Sequence, residues 1–395
     1  MSVPLLDLTR QFAQIRDPLL REIEDVIVAQ QFILGGRVDA FEAAAATAIG
    51  CGHAIGMSSG TDAWLAILMA LGIGPGDALV TTPYTFFATV GCIHRVGAET
   101  AFVDIDPATF NLDVSKLEEF LRDQCSRNSD GQLVTKKGNR VRAIVPVHLF
   151  GLCCDMDRIL ALAAEFGLGV IEDAAQAIGA EYPSAQGTVK AGAIADHAYF
   201  SFFPAKNLGA YGDAGMATCR THEAATQLRL MRNHGMEQRY YHHSVGGNFR
   251  IDAIQAAILH IKLPFTDAWN AARRRNAESY TEKIAAAGLG EFLTLPVRPF
   301  AGQVESDHVF HQFVLRADRR DELIAHLAAA EIGHGVYYPV PLHLQECFSY
   351  LGGKVGDFPV SESASKETIA LPIFPELLEN EINEVVDALT KFYRT

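Results

Sequence analysis

The amino-acid sequence predicts an α/β fold: a large domain with a mixed, mostly parallel sheet, followed by a smaller C-terminal α+β domain. Three observations predict it. Short apolar runs at 78–82, 100–104, 143–148, 168–171 and 198–203 alternate with helical stretches such as 155–166, as in a sheet covered by helices. Beyond Pro264 that alternation is lost, and runs at 309–315 and 333–338 offer strands for a second layer. A chain of 395 residues is also too long for one simple core. Two domains are therefore expected, 1–265 and 266–395, with the first dozen residues returning to pack near the small domain or a partner subunit.

Taken in chain order, the first informative element is Ile55-Gly-Met-Ser58-Ser59-Gly60-Thr61-Asp62, ahead of a helical stretch at 63–71. Small residues before a helix leave backbone N–H groups open at its positive end. The Ser59 and Thr61 hydroxyls add donors, so the turn suits a phosphate. The same residues also read as plain helix capping. Next, Gly72-Ile-Gly-Pro-Gly-Asp77 follows a helix rather than a strand and contains a proline. It fails the context of a dinucleotide loop and reads as a helix-ending turn. The polar stretch 124–142 reads as an exposed hairpin, QLVT then RVRAIV, with Lys136-Lys137 on a solvated face.

Asp173 stands at or just beyond the carboxyl end of the 168–171 run, where open α/β sheets collect ligands. A buried carboxylate there needs a cationic partner, although a helix N-cap is the plainer reading. Lys206 follows 33 residues later in the run SFFPAKNLGAYGDAG, 201–215. Pro204 ends the apolar strand, and a lysine delivered there is partly desolvated, which lowers its pKa and frees the amine for Schiff-base chemistry. Alone it would be a surface lysine. A capped helix, a strand-end aspartate and a strand-end lysine in that order form a more specific constellation. The pattern at 252–263 is helical again.

On these residues the chain resembles the DegT/DnrJ/StrS family of pyridoxal-phosphate-dependent sugar aminotransferases, which have the aspartate aminotransferase fold (fold type I). The match runs through VPLLDL (3–8), QFILGG (31–36), SSGTDA (58–63), TTPYTFFAT (81–89) and FVDIDPATFNLD (102–113). It continues through VIEDAAQAIGA (170–180), the lysine run, GGNFRIDAIQAA (246–257) and YYPVPLHLQ (337–345).

The resemblance implies pyridoxal 5'-phosphate as cofactor, with pyridoxamine phosphate as its intermediate form. Lys206 would hold the cofactor aldehyde and then shuttle the proton. Asp173 would pair with the pyridine nitrogen, Gln176 would contact the ring hydroxyl, and Phe86 would stack on the ring. Gly60, Thr61 and Ser201 would hold the phosphate beside Ser59. Asn248 would reach the phosphate of a neighbouring subunit and Arg250 would lie across the same boundary near the substrate, which implies a homodimer with shared sites. Tyr84 and Tyr338 would line the substrate pocket. In the loop after the lysine Ala214 departs from the pattern, standing where the family commonly has glycine; a position that needs positive φ would tolerate alanine poorly.

The implied reaction moves an amino group from an amino acid, L-glutamate being expected, to a nucleotide-linked keto sugar. The YYPVPLHLQ ending resembles enzymes that aminate carbon 3; carbon 4 or a cyclitol ketone are the alternatives. A pyridoxamine-dependent sugar deoxygenase of the same fold would carry histidine in place of Lys206. A non-catalytic regulator would not need Asp173, Gln176, Lys206 and Asn248 together. A dehydrogenase would need a glycine fingerprint after a strand, which is missing.

Composition sets the remaining bounds. Hydrophobic content of 49% and charged content of 20% describe an ordinary globular enzyme rather than a disordered or fibrous chain. Net charge of −14 argues against nucleic acid or an anionic membrane as partner. An anionic nucleotide sugar would then need a local basic patch, for which Arg239 and Arg250 are candidates. Cys51, Cys92, Cys125, Cys153, Cys154, Cys219 and Cys347 have no metal-ligand spacing and fit reduced thiols, so no metal is expected. No apolar run is long enough to span a bilayer and no secretion signal is evident, so a cytoplasmic protein is expected.

Overall fold

Strand-forming runs become a nine-stranded central sheet in the computed structural model, whose described residues are 3–394. Seven strands lie on one path, in the spatial order His53–Met57, Gly215–Cys219, His197–Ser201, Gly169–Asp173, Arg140–Ile144, Asp77–Thr81, Glu99–Phe102. Four of the six junctions are parallel. On this path Gly215–Cys219 alone runs backwards, pairing antiparallel with both of its neighbours. The parallel strands are almost wholly buried, as expected where helices cover both faces. Six strands therefore end at one edge of the sheet, where Gly215–Cys219 begins.

Helices Gly60–Ala70 and Met156–Phe166 stand close to the expected 63–71 and 155–166. Met156–Phe166 ends at Gly167, whose φ of 73° takes the left-handed cap conformation that glycine adopts without strain. The 124–142 stretch does form a hairpin-like excursion: Leu133–Val134 pairs with Ser126–Arg127 and with Arg140–Ile144, the latter being a central strand. Lys137 reaches Glu99 at 3.4 Å across its exposed face.

Past Pro264 the chain continues at once as the long helix Thr266–Ala286. A separate apolar core follows around Tyr280, Phe313, Leu323, Ile369, Phe374 and Leu389, and Val3 from the N-terminus belongs to it. Its sheet has three strands, Leu293–Thr294, Phe313–Ala317 and Thr368–Leu371. The expected strand at 333–338 is corrected: only Gly335 touches the sheet, through one bridge to Ala370. The N-terminal segment docks beside it, Val3 bridging Ile332 and accepting the Gly333 N–H at 2.7 Å. Among the described residues no helix is long and apolar enough to cross a membrane.

Candidate functional site

The strand ends converge on a cavity of about 560 Å³. Asp173 closes the strand Gly169–Asp173 and is only 5% exposed. Its Oδ2 accepts the Thr89 hydroxyl at 2.7 Å and the Tyr199 phenol, and its Oδ1 accepts the Ala175 N–H at 3.1 Å. A carboxylate out of water needs this number of donors. Parallel register places Tyr199 directly across from Asp173, and the phenol ring stacks on Trp64 at 5.1 Å. Burial, reinforced by the Asp173 charge, pushes the Tyr199 phenol well above its ordinary pKa and keeps it a donor.

Lys206 follows the strand His197–Ser201 by one turn, its N–H bonded to the Phe203 carbonyl at 2.8 Å. Burial lowers its amine to a pKa of about 8, against the opposing pull of Asp173. The side chain is half-buried because the cavity opens above it. The loop carrying it is bolted from below: Lys262 donates to the Gly209 carbonyl at 2.7 Å and lies 4.5 Å over the Tyr211 ring. Ala214 has no positive φ and accepts the Phe202 N–H at 2.8 Å, so the loop needs no glycine there.

Opposite stands the N-terminus of the helix Gly60–Ala70. Ser59 caps it, accepting the Asp62 N–H at 3.0 Å, while the amides of Gly60 and Thr61 precede the first intrahelical bond, from Ala63 to the Ser59 carbonyl. Three motifs press together here. A Cβ on Gly60 would lie 2.8 Å from the Ser201 Cβ, and one on Gly215 would lie 2.2 Å from the Ser59 carbonyl carbon. Only glycine permits that approach.

Gln176 accepts the Phe150 N–H at 2.7 Å and donates to the Tyr338 hydroxyl at 3.0 Å. Phe86, 58% exposed, lines the cavity with its ring 6.3 Å from that of Tyr338. The structure thus brings Ser59, Gly60, Thr61, Phe86, Asp173, Gln176, Ser201, Lys206 and Tyr338 to one cavity.

Tyr84 is a correction. It is fully buried behind the cavity wall, its hydroxyl bonded to the Tyr337 carbonyl at 2.6 Å and to Thr368 at 2.8 Å. It steadies Tyr337 and packs edge-on against Tyr338 instead of facing a ligand. Asn248 and Arg250 do not line the cavity of their own chain. Asn248 is exposed and bridges Asn233, whose side chain Arg250 holds at 2.7 Å. Arg239 lies on an exposed hairpin, with Tyr240 as its partner. The cations that do line the cavity are Lys206 and Arg273.

Sequence reasoning missed Thr89, Tyr199, His311 and Gln312. For Tyr199 a signal existed: a phenol inside an apolar strand must find a partner for its hydroxyl. The other three gave none.

An amine of lowered pKa, a buried carboxylate and a helix N-terminus around one cavity fit pyridoxal phosphate. The comparisons agree. The DegT/DnrJ/EryC1/StrS aminotransferase family matches residues 13–390. A pleiotropic regulatory protein of Geobacillus stearothermophilus is 45% identical, covering 100% of this chain and 99% of its own length. A UDP-N-acetyl-3-dehydro-alpha-D-glucosamine 3-aminotransferase of Acidithiobacillus ferrooxidans is 39% identical, covering 99% and 98%. The crystal structure of DesV from S. venezuelae, in complex with a ketimine intermediate, has a TM-score of 0.88 at 35% identity, covering 99% of this chain and 98% of that one.

Proposed function

Because the chain belongs to the DegT/DnrJ/EryC1/StrS aminotransferase family, we propose that it transfers an amino group from an amino acid, L-glutamate first, to carbon 3 of a nucleotide-linked keto sugar. The observation that carries this reading is the convergence of Lys206, Asp173 and the Ser59–Thr61 turn on one cavity. The name of the Acidithiobacillus relative, a 3-aminotransferase, supports carbon 3. A regulatory role, which the Geobacillus relative's name suggests, would leave the lowered pKa of Lys206 and the three donors on Asp173 without a purpose.

Pyridoxal phosphate, when bound, supplies an electron sink for carbanion charge at the reacting carbon. The chain supplies the rest. Asp173, fixed by Thr89, Tyr199 and Ala175, would pair with the ring nitrogen and stabilise its positive charge. Gln176, with one amide proton left after its bond to Tyr338, would meet the ring hydroxyl, and Phe86 would cover the ring face. Ser59, Gly60, Thr61 and Ser201 would hold the phosphate at the helix N-terminus. Lys206, whose buried amine has a pKa lowered to about 8, would take and return the proton at the reacting carbon in both halves of a ping-pong cycle.

The working unit is a homodimer in the cytoplasm, Asn248 and Arg250 serving the partner's site, with residues 1–265 as the cofactor domain and 266–395 as the small domain. Neither nucleic acid nor membrane is a partner. A single assay tests the reaction. Enzyme converted to the pyridoxamine form by L-glutamate is mixed with 3-keto and 4-keto nucleotide sugars while its absorbance is followed. Return of the pyridoxal spectrum with a 3-keto sugar is expected; return only with 4-keto sugars or cyclitol ketones overturns the carbon assignment.

A further inference from the structure

His311 lines the cavity that holds Lys206, and none of the steps above uses it. Its tautomer follows from its neighbours. Asn207 Nδ2 donates to the Val309 carbonyl at 2.9 Å and to Asn270 Oδ1 at 2.8 Å. A carbonyl only accepts, so the Asn207 amide oxygen is fixed on the other side, 3.1 Å from His311 Nδ1. Two acceptors do not bond, so Nδ1 carries the proton. Burial, with the Lys206 and Arg273 charges, holds the imidazole well below its ordinary pKa and therefore neutral.

Nε2 is then a bare lone pair, and none of the described residues' hydrogen bonds reaches it. The backbone that carries the ring is held in place: the His311 backbone N–H bonds the Phe150 carbonyl at 2.9 Å, and Arg273 donates to the His311 carbonyl at 3.4 Å. Beside it the Gln312 amide oxygen is buried without a partner. Through His311 the cavity wall here offers an acceptor to whatever enters.

The two substrates of a ping-pong cycle differ in what they offer such a wall. Apart from the amine that reacts, an amino acid brings carboxylates, which only accept and gain nothing from a lone pair. A sugar brings hydroxyl donors. We propose that His311 Nε2 accepts a hydrogen bond from a ring hydroxyl of the keto sugar, making His311 a substrate-positioning and specificity-determining residue for the sugar half of the cycle. This rests on the aminotransferase reading above.

The test measures the two half-reactions separately through the cofactor's absorbance, with L-glutamate and with a 3-keto nucleotide sugar. His311→Asn keeps an N–H toward Asn207 and deletes Nε2. His311→Gln brings an amide oxygen back to that position. In His311→Asn the sugar kcat/KM is expected to fall at least about tenfold further than the glutamate kcat/KM, in the range for a lost substrate hydrogen bond. His311→Gln is expected to recover part of that gap. Equal losses in both halves would assign His311 to support of Lys206 and overturn the proposal, as would an unaffected sugar half-reaction.

If His311→Asn does not fold, wild-type enzyme is offered keto sugars lacking one ring hydroxyl at a time. Indifference to every deletion overturns the proposal; a loss of tenfold or more at one position supports it. Wild-type enzyme without any glutamate half-reaction is a separate result, which removes the aminotransferase reading and this proposal with it.

Discussion

Tyr199 donates its phenol to Oδ2 of Asp173 inside the core, from the strand position directly across the parallel ladder. The strand-end carboxylate therefore arrives in the cavity already oriented, with Thr89 on the same oxygen and Ala175 on the other. Orientation before binding is what lets a charged group act on a cofactor without reorganising.

Asp173→Asn is accordingly expected to bind cofactor but to lose about a thousandfold or more in transamination rate, since each 1.4 kcal/mol lost is about tenfold. Tyr199→Phe removes one of three donors and keeps the Trp64 stack, so a smaller loss, about five- to thirtyfold, is expected. Steady-state kinetics on both variants check the ranking. A Tyr199→Phe enzyme as impaired as Asp173→Asn would mean that the phenol acts on the reacting groups directly.

The pKa of Lys206 sets a pH dependence. Burial favours the neutral amine and lowers the pKa from 10.5 to about 8, so the reactive form grows as pH rises through that value. In cofactor-free protein the rate of pyridoxal phosphate capture is expected to climb with pH and level off above about 8. An ordinary lysine would keep climbing toward its own, higher pKa. Borohydride trapping followed by peptide mapping should place the label on Lys206, and Lys206→Ala should abolish it. Labelling of another lysine would displace the assignment.

Lys206 and Asp173 were legible in the sequence because both follow apolar strands, and strand ends are where such a sheet delivers polar groups. The Ser59–Thr61 turn was legible on other grounds, small residues that leave amides open ahead of a helix. Tyr84 was misread because its partners, the Tyr337 carbonyl and Thr368, lie more than 250 residues away and leave no local trace. The run 333–338 is apolar enough to read as a strand, yet Thr368–Leu371 takes the place beside Phe313–Ala317 and leaves it one bridge. His311 was invisible for a related reason: its tautomer depends on Asn207, Val309 and Asn270, which only the fold assembles.

Gly215 gives a test of the cradle that does not depend on substrate. A methyl group there would meet the Ser59 carbonyl carbon at 2.2 Å and the Gly60 nitrogen at 2.4 Å, all of it backbone that cannot step aside. Gly215→Ala is expected to cost about 1–3 kcal/mol of stability, as overpacking does, and to weaken cofactor affinity at least tenfold by displacing the phosphate amides. Gly290→Ala, where an added Cβ meets nothing within 4 Å, is the control and should change neither Tm nor affinity. Equal cofactor affinity in the two variants would separate the helix N-terminus from phosphate binding.

Asn248 gives a test of the shared site. Its own chain leaves it exposed and outside the cavity, and Asp252 holds the N-cap position of the helix Ala253–Lys262, so Asn248 is not at the cap. The neighbouring Tyr240, Tyr241 and Val245 are 75%, 63% and 89% exposed, a cluster of apolar surface that fits contact with a second chain. A two-fold dimer would carry Asn248 of each chain to the other's phosphate, once per site. Lys206→Ala and Asn248→Ala proteins, each inactive alone, are therefore expected to regain activity when mixed under subunit exchange. In each heterodimer one site carries both defects and the other carries neither, so recovery should approach half the wild-type activity per heterodimer. An active monomer in sedimentation, or no recovery after exchange has been demonstrated, would place the whole phosphate site within one chain.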